Sequence, residues 1–167
     1  KRSEGLLHFV DDYRRLTKIK ALDLEEVKVK ELLSEMAMLL KSDAEKENIK
    51  IKIDAPEYIT ISMDRNLIEQ VLINLITNAR HALQGKTDGT VEISAFEDGY
   101  RKVIEVKDNG TGIEIAKQDE IFIPFYSTKV EGSGIGLSLS KQIMKKHKGD
   151  LTVKSEVGKG ASFLLIF

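Results

Sequence analysis

The chain has 167 residues, 41% hydrophobic and 32% charged, which is enough for one globular domain with its own core and a small appendage. Its 26 basic and 27 acidic residues leave a formal net charge of −1, so there is no electrostatic footprint for nucleic acid or an anionic membrane. Cysteine is absent, which excludes disulfides, thiolate metal sites and cysteine nucleophiles, and no apolar run approaches the roughly 20 residues of a membrane-spanning helix. No signal-peptide pattern opens the chain, and Lys1 as first residue reads as the mark of a fragment.

Residues 3–19 place Leu6, Leu7, Phe9, Val10, Tyr13, Leu16 and Ile19 at steps that predict an amphipathic helix. This helix reads as one arm of a helical hairpin or dimer interface; the other reading is a frayed surface helix of the same domain. Residues 20–28 form a charged connector. A second helix is predicted over 29–47, with Leu32, Leu33, Met36, Leu39 and Leu40 on one face. The alternating runs Ile49–Ile53 and Tyr58–Ile61 predict two strands around Pro56.

Asp64 is a suitable N-cap for a third helix over 65–83, whose aliphatic face runs from Leu67 to Leu83. Gln70, Asn74, Asn78 and His81 share another face of that helix. Strands over 90–97 and 102–107 make a hairpin around Asp98-Gly99, and the second leads into Asp108-Asn109-Gly110-Thr111-Gly112. A loop with a short helix carries Ile121-Phe122-Ile123-Pro124-Phe125. Gly132-Ser133-Gly134-Ile135-Gly136 then opens a helix over 134–147, and strands near 151–155 and 161–167 close the chain, with Gly158-Lys159-Gly160 in the last turn. The rhythm predicts an α/β (α+β) two-layer sandwich with helices on one face of a mixed sheet.

Three glycine clusters behind an asparagine-bearing helix point to a nucleotide. Glycine lets backbone approach a ligand closely, and a helix start offers free N–H groups to anions. The amide oxygen of Asn78 is a hard neutral ligand suited to Mg²⁺, and Asn74 lies one turn earlier on the same side. Asp108, at a strand end, could accept a hydrogen bond from the exocyclic amine of adenine and reject the carbonyl of guanine. The cluster from Gly132 to Gly136 suits a triphosphate, and Lys129 on the preceding loop offers a point charge. His81 could touch phosphate or simply end its helix favourably, whereas His147 reads as a cation at a helix C-terminus and His8 as a helix-face residue. Gly85-Lys86-Thr87 is discarded as a phosphate loop, because it follows a helix and precedes a strand.

These residues resemble the ATP-binding domain of bacterial sensor histidine kinases, a family whose superfamily includes DNA gyrase and the MutL mismatch-repair ATPases. The likeness covers about 25–167. Asn74 through Ala79 resembles the N box and Asp108 through Ile113 the first G box. Ile121 through Phe125 resembles the F box, and Gly134-Ile135-Gly136-Leu137 and Gly158-Lys159-Gly160 the second and third G boxes. The phrase from Phe125 to Gly136 is most similar to the nitrogen-regulation branch. The resemblance implies about five strands under three main helices, with Mg²⁺-ATP bound by Asn74, Asn78, His81, Asp108, Gly110, Gly112, Ile113, Lys129, Gly132, Gly134, Gly136, Leu137 and Ser162. It makes Asn74 and Asn78 catalytic and Asn78 the metal ligand.

It also implies that 1–20 ends the second dimerisation helix, that 21–28 is a linker and that 29–167 is the ATP-binding domain. The partners so implied are the chain's own dimerisation domain, in a homodimer of the full-length protein, and a response-regulator receiver domain. The implied location is cytoplasmic, without membrane contact by this segment. Two departures stand out: the family's phosphoacceptor histidine is missing, and Ala161 occupies a position where threonine is frequent. ATP-hydrolysing members of the superfamily place a glutamate where this chain has Asn74, whose amide cannot take a proton at neutral pH. Poor hydrolysis and transfer to a protein histidine are therefore expected. The rival readings are a serine kinase of the same ATP fold and a nucleotide-binding module without enzymatic activity.

Overall fold

The computed structural model describes residues 21–126 and 134–167. The expected dimerisation helix with His8, and the expected ligand contacts Lys129 and Gly132, lie outside the described residues.

Alternation builds the sheet. Val91, Ile93 and Ala95 on β4 (Thr90–Asp98) point the same way as Ile104 and Val106 on β5 (Arg101–Asp108) and as Ala161, Phe163 and Leu165 on β7 (Gly160–Ile166), and all are buried. With β2 (Lys50–Asp54) and β6 (Asp150–Glu156) these strands form a five-stranded sheet of order β2-β4-β5-β7-β6. Only β2 and β4 run parallel, so the sheet is mixed, as expected. Three helices, α1 (Val29–Lys46), α2 (Arg65–Ala82) and α3 (Gly136–Lys146), cover the apolar face, and the opposite face carries Glu92, Glu105, Lys107 and Lys154.

Four findings depart from the expectations. The stretch read as a connector contains strand β1 (Glu25–Lys28), which pairs antiparallel with β3 (Thr60–Met63) and sets Val27 opposite Ile61. One apolar residue among charges is too little alternation to announce a strand; pairing with β3 makes it. Consequently the two strands around Pro56 belong to different sheets. Leu39 is 63% exposed, because the buried stripe of α1 passes from Met36 to the partly buried Leu40 rather than to its neighbour. Finally, His147 reaches beyond its own helix. Its Nε2 accepts the Asp64 N–H at 3.0 Å while its Nδ1 faces the Ile143 carbonyl at 2.8 Å.

Asp64 caps α2 as expected, its Oδ1 accepting from Leu67 N–H at 3.2 Å. Its Oδ2 also accepts the Asp23 N–H at 3.1 Å. The start of α2 is thereby tied both to the entering chain and to the end of α3.

Candidate nucleotide site

The wide aliphatic face of α2, from Ile68 through Ala79, is buried on the sheet and on α1 and α3. That seating leaves Asn74, Thr77, Asn78 and His81 facing a cavity of about 700 Å³. The size is within the usual range of small-molecule clefts. The start of α3 supplies Gly136 and Leu137, the end of β5 supplies Asp108, and β7 supplies Ala161 and Phe163. Gly112, Ile113 and Gly134 complete the set of expected residues that line it. Gln70, on the same helical face, does not reach it.

Asp108 is 5% exposed, and its Oδ1 accepts the Gly110 N–H at 2.7 Å. Burial pushes its carboxyl above the ordinary value, and the N–H groups of Gly110 and Ala161 offset this only in part. A carboxylate kept at that cost has unused acceptor capacity for a donor arriving in the cavity. Asn109 holds the turn from behind, its Oδ1 accepting Thr90 N–H at 2.8 Å and its Nδ2 donating to the Asp88 carbonyl at 3.0 Å.

The glycines of this turn also let backbone segments meet. A Cβ on Gly112 would sit 2.1 Å from the Glu156 carbonyl oxygen, and φ there is +72°. Backbone approaches it closely, and it lines the cavity as well. Gly110 likewise lies against Ala82 behind the wall and does not line the cavity. The turn is stitched to the end of α2 by Thr111 N–H donating to the Ala82 carbonyl at 3.2 Å. Gly158 N–H, donating to the Thr111 carbonyl at 2.8 Å, ties it to the β6–β7 turn.

Among the described residues no side chain caps α3, whereas Asp64 caps α2. The first-turn N–H groups beside Gly136 and Leu137 face the cavity with the positive end of the helix dipole, a setting for phosphate. Asn74 lies against that start, its Nδ2 donating to Ser140 Oγ at 3.1 Å. Among the described residues no group of three His, Cys, Asp or Glu side chains could hold a metal by itself. A divalent ion here would depend on a ligand's own oxygens, and the neutral amide of Asn78 fits that role.

One expected contact is corrected. Ser162 points to the opposite face of the sheet, where its Oγ donates to Glu105, and Ala161 faces the cavity instead. The period of two decides this, since Phe163 and Leu165 belong to the buried face and place Ala161 with them. Sequence reasoning misses Thr77, Glu114, Lys117, Ile121, Tyr126 and Val157 on the lining. Thr77 is legible as the neighbour of Asn78. Lys117, paired with Glu114 at 2.6 Å, carries no spacing signal, and that carboxylate holds its ammonium above the ordinary range.

Residues 63–167 match the family described as histidine kinase-, DNA gyrase B-, and HSP90-like ATPase. The chain is 34% identical over 167 residues to the sensor histidine kinase ZraS of Salmonella typhimurium, covering 99% of this chain and 36% of that protein. It thus spans about a third of that relative's length. Among solved structures, the nucleotide-free catalytic domain of histidine kinase ThkA is similar with a TM-score of 0.79 at 28% identity, covering 87% of this chain and 95% of that one. Full-length ShkA in complex with AMPPNP gives 0.83 at 27% identity, over 97% of this chain and 35% of that one. ThkA in complex with the response regulator TrrA gives 0.81 at 25% identity, over 99% and 48%.

Proposed function

The chain belongs to the histidine kinase-, DNA gyrase B- and HSP90-like ATPase family, and from that premise we propose that it binds Mg²⁺-ATP in the cavity beside α2 and delivers the γ-phosphoryl group to a histidine carried outside the described residues. One observation carries this reading: one cavity holds both a buried carboxylate and a helix start that no side chain caps among the described residues. The carboxylate of Asp108 accepts from the adenine amine, and the first-turn N–H groups of α3 receive phosphate oxygens. His81 stands at the rim, and Lys129 is proposed as a further cation for the phosphates.

Mg²⁺, where bound, would neutralise phosphate charge. Asn78 is the side chain proposed to contribute to it, through its amide oxygen. Asn74 sits where a general base for water would be needed, and an amide cannot serve as one. A neutral imidazole needs no such base. Its unprotonated nitrogen forms the bond to the γ-phosphorus as the bond to the β-phosphate oxygen breaks, and ADP leaves. Positioning and charge neutralisation then account for the work asked of the cavity.

The remaining proposals concern the whole protein: a homodimer through its own dimerisation domain, relay to a response-regulator receiver domain, and a cytoplasmic location for this part. No described helix is long and apolar enough to cross a membrane. The test uses calorimetry with AMPPNP, with and without Mg²⁺, and then phosphoryl transfer in a chain that includes the phosphoacceptor helix. Metal-dependent binding and an acid-labile, base-stable phosphoprotein are expected. An acid-stable product would indicate a serine kinase, and absence of nucleotide binding would refute the reading.

A further inference from the structure

We propose that Ser140 is a positioning residue for phosphoryl transfer, acting by holding the Asn74 side-chain amide against the first turn of α3. The proposal rests on the reading of the cavity given above and deepens it.

An asparagine amide has two ends of nearly equal size and opposite hydrogen-bonding character. At a site handling phosphates the difference decides function. An oxygen can accept from a metal-bound water or a cation, whereas an NH₂ group donates to phosphate oxygens directly. The amide must therefore be held in place, and α3 holds it at two points. Ser140 is 2% exposed and does not line the cavity, yet its Oγ accepts from Asn74 Nδ2 at 3.1 Å across 66 residues of sequence. One helical turn earlier, Gly136 leaves open the space in which Oδ1 sits, for a Cβ there would lie 2.2 Å from Oδ1 and 3.1 Å from Nδ2. The amide thus lies along the first turn of α3, with nitrogen toward the buried serine and oxygen toward the helix start that receives phosphate.

The other contacts around Ser140 do not explain a buried hydroxyl here. Its neighbours Leu139, Ile143 and Met144 are buried and apolar, and Ser138 spends its own Oγ on the Ile135 carbonyl at 2.8 Å. An alanine at 140 would fit the helix at least as well. What alanine would lose is an acceptor for Nδ2, leaving the amide free to turn.

The experiment is a double-mutant cycle in the full chain with its phosphoacceptor domain, using Ser140→Ala, Asn74→Ala and the pair, together with nitrogen-15 spectra of the Asn74 side-chain amide in nucleotide-free protein. Ser140→Ala is expected to lower kcat for transfer by about fivefold to tenfold, the loss of one hydrogen bond that anchors the amide. The KM for ATP should stay within about twofold, because the adenine end and the helix start are untouched. The Asn74 side-chain amide proton bonded to Ser140 should shift upfield and exchange faster with solvent, and Ser140→Thr, which restores the hydroxyl, should recover both rate and spectrum. In the Asn74→Ala background Ser140→Ala should cost nothing more. Additive losses, or wild-type transfer in Ser140→Ala alongside impaired Asn74→Ala, would overturn the proposal. Wild-type transfer in Asn74→Ala would instead overturn the cavity assignment, and this proposal with it.

Discussion

Replacing Gly112 by alanine separates two reasons for a glycine-rich turn, because Gly158 provides a matched control on the turn hydrogen-bonded to it. Both have positive φ, +72° and +81°, so alanine at either suffers the left-handed penalty of roughly 1–2 kcal/mol. Only Gly112 also lacks room. Its added Cβ would sit 2.1 Å from the Glu156 carbonyl oxygen and 2.7 Å from the carbonyl carbon, while at Gly158 nothing lies within 4 Å. The obstructing atoms are backbone at the end of β6, which cannot rotate aside. The Gly158 N–H to Thr111 and the Ile113 N–H to Ser155 Oγ, each 2.8 Å, resist separation of the two segments. Overpacking of this kind costs about 1–3 kcal/mol beyond the torsional penalty.

At roughly 2–4 °C per kcal/mol for a chain of this length, Gly112→Ala should melt about 2–12 °C below Gly158→Ala. The assay is thermal unfolding followed by circular dichroism, without nucleotide. If Gly112→Ala melted with Gly158→Ala yet lost AMPPNP binding, the glycine would be serving the ligand, and the packing argument would fail.

Asp108→Asn should narrow the preference for ATP over GTP in a thermal-shift titration, since an amide can present a donor to the guanine carbonyl. Because burial raises the Asp108 carboxyl above its ordinary value of 3.8, its ionised form is disfavoured by folding. Its contribution to stability is full below that value and is lost as pH rises through the raised pKa. The asparagine variant should therefore gain stability relative to wild type as pH rises above about 4; a widening deficit instead would contradict the assignment. Glu47 joins the end of α1 to α2 through a two-pronged pair with Arg80, at 2.7 and 2.6 Å, and Arg80 holds its carboxyl below the ordinary 4.5. That contribution is present above 4.5 and lost as pH falls through the lowered value. With Glu47 42% exposed, Glu47→Gln should cost only about 0.5 kcal/mol at neutral pH by denaturant melts, and the difference should vanish in acid. Chelating Mg²⁺ should weaken AMPPNP binding in calorimetry, and unchanged affinity would remove Asn78 from its proposed role.

Elements whose signal is local are legible in the sequence alone. The helix α2, its Asp64 cap, the asparagine face and the alternating strands β4 to β7 all follow from side chains close together along the chain. What escapes is partnership. β1 and the separation of β2 from β3 into two sheets depend on which strand meets which, and a period of two does not say. His147 reads from its own helix as a terminal cation, but its role is set by Asp64, 83 residues away. The hydroxyl of Ser162 suggests a ligand contact, yet Phe163 and Leu165 already assign the alternating face, so that error is avoidable from the pattern itself.

The glycines that mark the site have a second use. Gly112 lines the cavity and also lets its backbone meet that of Glu156, and Gly110 packs closely against Ala82. The inference to a nucleotide still holds, because close meeting is what assembles the wall. With Gly112 against Glu156, the first turn reaches the β6–β7 turn, and Asp108 and Ile113 come to one surface with Ala161 and Phe163. With Gly136 against Asn74, the start of α3 comes to lie beside the asparagine face of α2. Glycines spaced through a sequence therefore mark where elements converge, and the polar groups beside them, Asp108, Asn74 and Asn78, give the convergence its chemistry.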